Sequence, residues 1–191
     1  MPTHRHFMIY KPYGFLSQFI TNQKKGGKHK LLGELFNFPS GTMAVGRLDV
    51  KSEGLLLLTT DGKVSDFITT RGKVEKEYYV QVDGAITFEA VEQLKNGVEI
   101  GFDGKKYMTK PCKVKMIDIP NFPERSKKIR DARHGPTPWI SVTLTEGKFR
   151  QVRKMTSAVG FPTLRLVRVR VGDIVLGKMD SGEVKEVEEL I

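Results

Sequence analysis

The stretch Gly46-Arg47-Leu48-Asp49-Val50-Lys51-Ser52-Glu53-Gly54-Leu55-Leu56-Leu57-Leu58 decides how the chain is read. A carboxylate sits in a glycine-flanked turn that feeds directly into four consecutive leucines. Four apolar residues in a row cannot alternate between core and water, so these leucines predict a short strand buried on both faces. Asp61-Gly62 closes it as a turn. A loop held by a rigid strand is a usual mount for a reactive group. By itself the signal is weak, because an Asp in a turn usually bonds its own backbone. Asp61 and Glu53 read as turn and surface groups.

Working outward, strand signals dominate. Tyr78, Val80 and Val82 alternate with Glu77, Tyr79 and Gln81, which points Tyr78 to the apolar face of its strand. Ile140, Val142 and Leu144 alternate with Ser141, Thr143 and Thr145, predicting a half-buried strand that Trp139 opens as a core residue. Between Leu164 and Val171 the apolar parity switches from even to odd, as a bulge near Leu166 would produce. Helices are fewer. Thr87 can cap one with Val91 and Leu94 inward and Gly97 as its stop. Val64, Phe67 and Ile68 suit a short helix after Asp61-Gly62. Val152, Met155 and Val159 recur at helical spacing, closed by Gly160 and Pro162. The pattern is an α+β chain with much antiparallel sheet.

The 191 residues carry 32 Lys and Arg against 22 Asp and Glu, a formal charge of +10. The excess is uneven. The last twelve residues hold five acids and one base, which leaves 31 bases and 17 acids, or +14, on the first 179. The bases fall in three blocks. Residues 24–30 form a glycine-broken loop, residues 125–134 are bracketed by Pro120, Pro123, Pro136 and Pro138, and residues 148–170 carry seven bases. Clustered positive charge is the electrostatic footprint of a nucleic-acid binder. No apolar run approaches a membrane span, and Phe7-Met8-Ile9-Tyr10 is too short for a signal-peptide core. The lone Cys112 rules out an intrachain disulfide and fits a reducing compartment, so a soluble cytoplasmic protein is expected.

Several chemistries are excluded. The segment from Gly41 to Leu48 has phosphate-loop glycine spacing, but Arg47-Leu48 replaces the required Lys-Ser/Thr. His4 and His6 lack further ligands for a metal site. Cys112, between Pro111 and Lys113, has no evident base partner and reads as inert. No metal and no cofactor is expected.

Three segments occur in order: residues 46–62, then Lys76-Glu77-Tyr78-Tyr79-Val80, then Glu146-Gly147-Lys148-Phe149-Arg150-Gln151-Val152-Arg153-Lys154-Met155. Together they resemble the motifs of the pseudouridine synthases, in the branch with the small-subunit enzyme A and the large-subunit enzymes B, E and F. The likeness extends from Lys11-Pro12-Tyr13-Gly14 to Phe161-Pro162-Thr163-Leu164-Arg165-Leu166. The last string and the proline-flanked basic loop narrow it to one large-subunit member. The resemblance implies a mixed, mainly antiparallel sheet with flanking helices and a central active-site cleft. It implies isomerisation of a ribosomal-RNA uridine, without redox chemistry or metal. It also implies a single catalytic domain over residues 1–191, two-lobed, monomeric and without a separate RNA-binding module.

By the same resemblance Asp49 matches the essential aspartate, which would serve as nucleophile at the sugar or as base at the ribose. Tyr78 matches the tyrosine that stacks near the target base, and Arg153 the cation paired with the aspartate. Arg47, Lys76, Lys148, Arg150, Gln151 and Arg165 become candidates for RNA contacts near the site, and Lys127, Lys128 and Arg130 for docking. Without the resemblance, Tyr78 would read as an inward strand residue and Arg153 as a solvated helix charge. The rival readings are a non-catalytic RNA-binding or ribosome-assembly factor on the same fold, and a basic DNA-binding protein. Against the last, no basic recognition helix stands out.

Overall fold

The computed structural model describes residues 3–20 and 29–191. Of the first basic block, Lys24, Lys25 and Lys28 lie outside the described residues. The chain divides into two compact units, Met1–Val74 with Arg168–Ile191, and Glu75–Val167. No helix among the described residues is long and apolar enough to cross a membrane.

In the first unit, β1 (His6–Lys11) pairs antiparallel with β3 (Glu53–Thr59), and β2 (Met43–Val45) also pairs with β3. As the leucine run requires, Leu55, Leu56, Leu57 and Leu58 are all buried, together with Phe7 and Ile9 of β1. Each such side chain contributes about 1.5–3 kcal/mol of transfer free energy. Asp61 caps the short helix α1 (Gly62–Asp66) by accepting from the Lys63 amide at 2.9 Å. That amide bond holds the Asp61 carboxyl below the ordinary range. The helix continues as a π-helical turn over Phe67–Arg71, which buries Ile68 and leaves Phe67 exposed.

Glu53 is not a surface group. It is 2% exposed. It opens a strand covered on both faces, so its side chain is enclosed with the leucines that follow.

In the second unit, β4 (Lys76–Val82) pairs antiparallel with β8 (Trp139–Leu144), and β7 (Lys113–Ile117) flanks β8 on its other side. A hairpin of β5 (Glu99–Phe102) and β6 (Lys105–Met108) stands apart from that sheet. Thr87 caps α2 (Phe88–Asn96) through the Ala90 amide at 3.1 Å, and Gly97 ends it. The third helix, α3 (Gln151–Ala158), packs Val152 and Met155 into a core with Val80, Val82, Val91, Leu94, Ile140 and Val142.

The half-buried prediction for β8 is corrected. Every residue from Trp139 to Leu144 is buried, and the strand stops before Thr145. Phe122 packs at the Trp139 end of the strand, its ring 5.8 Å from Trp139 and 6.0 Å from Tyr79. Ser141 is accommodated by donating to Glu77 Oε2 at 2.7 Å.

Strand β9 (Thr163–Val171) explains the parity switch differently from a lone bulge. Its first five residues belong to the second unit and its last four to the first. Leu166 is buried in the core of the second unit, and Val171 is buried within the first. Two cores make separate demands on one strand. Arg168, 4% exposed, donates from Nε to the Leu55 carbonyl at 2.8 Å. The acidic tail was not readable as structure. It forms β11 (Val184–Val187) along β1, and Glu186 takes Arg5 in a two-pronged ion pair.

Candidate active site

Asp49 lies in the first unit, Tyr78 and Arg153 in the second. The turn that carries Asp49 is fixed through its main chain. Ser17, buried, accepts from the Leu48 amide at 3.0 Å and donates to the Leu48 carbonyl at 2.9 Å. Gly14 donates its amide to the Val50 carbonyl at 2.8 Å, and Ser52 donates to the Asp49 carbonyl at 3.0 Å. Gly14 has φ +89° and Gly46 φ +73°, which a side chain would oppose. Upstream, the fully buried Lys11 donates its ammonium to the carbonyls of Pro12 at 2.8 Å and Phe15 at 2.7 Å. Residues 11–17 thus form a template for the backbone of residues 48–50. Asp49 itself is half-buried, while Arg47 is exposed.

Ser17 belongs to this template although nothing in its sequence surroundings marks it. Ser17→Ala leaves a buried amide and a buried carbonyl without their partner, a cost of about 1–3 kcal/mol. The denaturation midpoint should fall accordingly, and turnover should fall with it as Asp49 loses its setting. A midpoint and a turnover both matching the wild type would refute the template.

Tyr78 is the third residue of β4, opposite Val142, and packs against the core that includes Val152 and Met155 of α3. One core therefore places Tyr78 and the helix that carries Arg153. Lys76, at the start of β4, is half-buried. Arg153 lines a groove of about 420 Å³ with Arg150, Lys154, Ser157 and the β5 residues Glu99, Ile100 and Gly101. Three cations outweigh the one carboxylate of the groove, Glu99, which is itself 3.5 Å from the Lys106 ammonium, so the groove suits an anion.

The segment before α3 is pinned by Glu146, whose carboxylate accepts from Tyr107 Oη, from the Lys110 amide at 2.7 Å and from Gln151 Nε2 at 2.9 Å. Burial opposes its ionisation, but those bonds prevail and hold the Glu146 carboxyl below its ordinary range. The same bond to Glu146 pushes the Tyr107 hydroxyl up. Gln151 is buried, and its amide oxygen accepts from the Lys148 amide at 3.1 Å. It braces this segment from within. The Lys148 ammonium sits 5.2 Å from the ring centroids of both Phe102 and Tyr107.

The second basic loop is fastened to its own unit. Arg125 donates to the Lys127 carbonyl at 2.7 Å and the Leu164 carbonyl at 3.2 Å. Arg130 pairs with Asp83, and Arg133 with Asp131 at 2.7 Å. Arg165, 8% exposed, donates to the Pro123 carbonyl at 2.7 Å and lies 5.7 Å from the Phe122 ring centroid. Lys127 and Lys128 are exposed. Of the proposed RNA contacts, Arg47, Lys127, Lys128 and Arg150 are therefore presented to solvent, while Arg130 and Arg165 also brace the protein. Cys112 donates to the Leu94 carbonyl, and burial pushes its thiol up to about 11.

Comparison with known proteins points one way. Residues 5–158 match the family described as RNA pseudouridylate synthase. A ribosomal large subunit pseudouridine synthase E of Vibrio parahaemolyticus is 44% identical over 179 residues, covering 93% of this chain and 71% of that protein. The enzyme of the same name from Xanthomonas axonopodis pv. citri is 44% identical over 168 residues, covering 87% and 85%. This is the large-subunit member indicated by residues 160–166. A ribosomal large subunit pseudouridine synthase B of Yersinia pestis is 37% identical over 91% of this chain and 49% of its own length. A crystal structure of a pseudouridylate synthase superposes with a TM-score of 0.75 at 26% identity, over 98% of this chain and 71% of that one. The mainly antiparallel α+β architecture and these matches agree, and the chain belongs to the RNA pseudouridylate synthase family, enzymes that isomerise uridine in RNA.

Proposed function

We propose that the substrate is a uridine of large-subunit ribosomal RNA and that Asp49 carries the chemistry. The observation behind the substrate is the 44% identity to two large-subunit enzymes across most of both chains. The N1–C1′ bond of the nucleotide breaks, the base turns, and C5 bonds to C1′. The C5 proton leaves and N1 takes up a proton, so product and substrate have the same formula. No oxidant, reductant or energy source is consumed. Asp49 acts as nucleophile at C1′ or as base at the ribose. By the motif resemblance, Arg153 is assigned the role of the cation that goes with this aspartate. Tyr78 supplies an apolar ring with one polar tip, suited to cover the base and accept its C5 proton.

A stacked uridine cannot react, so the enzyme must extrude it from an RNA loop or junction. Lys127, Lys128, Arg47, Lys76, Lys148 and Arg150 are read as the phosphate grip, with Arg130, Gln151 and Arg165 holding the loops that present it. On this reading the 191 residues act as one monomeric catalytic domain in the cytoplasm and dock RNA with their own basic loops. Lys127→Ala with Lys128→Ala should flatten the slope of log affinity against log salt by about 1.4, at roughly 0.7 per phosphate contact. An unchanged slope would confine the grip to other bases. The function is tested by mapping pseudouridines in ribosomal RNA from cells with and without the gene. One large-subunit position should lose its modification in the deletion and regain it on complementation. An identical map in both strains would overturn the proposal.

A further inference from the structure

The segment between β8 and α3 holds a feature that the reaction does not use. Phe149 is 66% exposed, with its neighbours Lys148 and Arg150 on either side. Single exposed apolar side chains are common, so the ring gains meaning only from what surrounds it. The display is also rigid. Glu146 is held by Tyr107, Lys110 and Gln151, and Gln151 in turn holds the Lys148 amide. Arg150 adopts φ +53° and ψ +33°, a left-handed conformation that a side chain resists. Strain of this kind persists where surrounding bonds enforce it, and it gathers at functional turns.

The surroundings specify the occupant. The Lys154 ammonium lies 5.2 Å from the Phe149 ring centroid. Lys154 and Arg153 of α3 line the groove with Arg150, the residue that precedes the helix. A ring beside a cationic groove matches a nucleotide, whose base has a π face and whose phosphate is anionic. An apolar protein partner would meet the Lys154 charge at the ring itself and the cations of the adjoining groove beside it. Resting on the RNA-substrate reading above, we propose that this is a second nucleotide subsite. An unpaired base of the substrate RNA, other than the target uridine, stacks on Phe149, and its phosphate lies at Arg150 and Lys154 on the rim of the groove.

The test uses the full chain and a large-subunit RNA fragment containing the target. 2-Aminopurine is placed in turn at each unpaired position of that fragment. Wild type should quench the probe at a position distinct from the target. Phe149→Ala should abolish that quenching and weaken binding about tenfold, in line with loss of one stacked base. Phe149→Tyr and Phe149→Trp should retain both, and Phe149→Leu should resemble Ala, because bulk without a π face does not stack. Unchanged thermal midpoints would exclude misfolding, as expected for an exposed ring. Wild-type affinity and quenching in Phe149→Ala, or a Leu variant equal to Phe, would overturn the subsite. Wild-type isomerisation is assayed on the same fragment. Its failure would count against the substrate reading, whereas quenching lost in Phe149→Ala would still report the subsite.

Discussion

Asp49→Asn is expected to lower pseudouridine formation by at least about a thousandfold while RNA affinity stays within a few-fold of wild type. The substitution keeps the shape and removes both charge and nucleophile, and one general-base contribution alone reaches about 10²–10⁴. The turn should survive, because its main chain is held by the Ser17 hydroxyl and the Gly14 and Ser52 amides, bonds that Asn leaves in place. Carbodiimide mapping of the product and filter binding of the RNA separate chemistry from grip. Near-wild-type turnover would remove Asp49 from the chemistry. A parallel collapse of affinity would make it a binding residue instead.

Gly97→Ala should destabilise the second unit severely. Gly97 has φ +107° and ψ +143°, close to a region that glycine alone populates readily. A Cβ placed there would lie 2.2 Å from the Thr109 carbonyl oxygen. That oxygen cannot swing aside, because Thr109 is buried and clamps Val98 twice. Its Oγ1 accepts from the Val98 amide at 2.8 Å and its own amide donates to the Val98 carbonyl at 2.9 Å. Strain and clash together should cost about 3 kcal/mol or more. For a chain of this size that lowers Tm by about 10 °C. Activity should fall too, since β5 forms one wall of the groove that Arg153 lines. A calorimetric midpoint within a degree or two of wild type would contradict the steric account.

The parts of the fold that could be read from sequence were those governed by period and punctuation. The four leucines of β3, the alternation around Tyr78, and the Thr87 and Gly97 ends of α2 each obey a local rule, and each stands where that rule places it. The misreadings share a cause, which is burial imposed from outside the segment. Glu53 looks solvated until its strand is covered on both faces, and Ser141 looks exposed until Glu77 takes its hydroxyl and Phe122 packs on the neighbouring Trp139 and Tyr79. The strands β5, β6 and β7 are only four or five residues long, so alternation such as Lys113-Val114-Lys115-Met116 spans barely two periods and is a weak strand signal. The acidic tail reads as a charge run, yet Arg5 and the edge of β1 accept it as β11.

At the site, the motifs carried Asp49, Tyr78 and Arg153 by resemblance, but not the residues that hold their surroundings. Ser17 is separated from Leu48 by 31 positions and lies in no pattern, so only the fold reveals the bond. Glu146 belongs to the quoted motif, but its hold on Tyr107 and Lys110 depends on the β5 and β6 hairpin folding back toward it. Arg130 and Arg165 read from sequence as candidate RNA contacts, and only the fold shows their bonds to Asp83 and the Pro123 carbonyl.

The central claim is best tested by tritium release from RNA labelled at C5 of uridine. The C5–C1′ bond of pseudouridine cannot form without loss of that label to water. The purified chain should release tritium from large-subunit ribosomal RNA up to one equivalent per molecule and then stop, with none from small-subunit RNA and none with Asp49→Asn. No release from large-subunit RNA, or equal release by the Asn variant, would contradict the account.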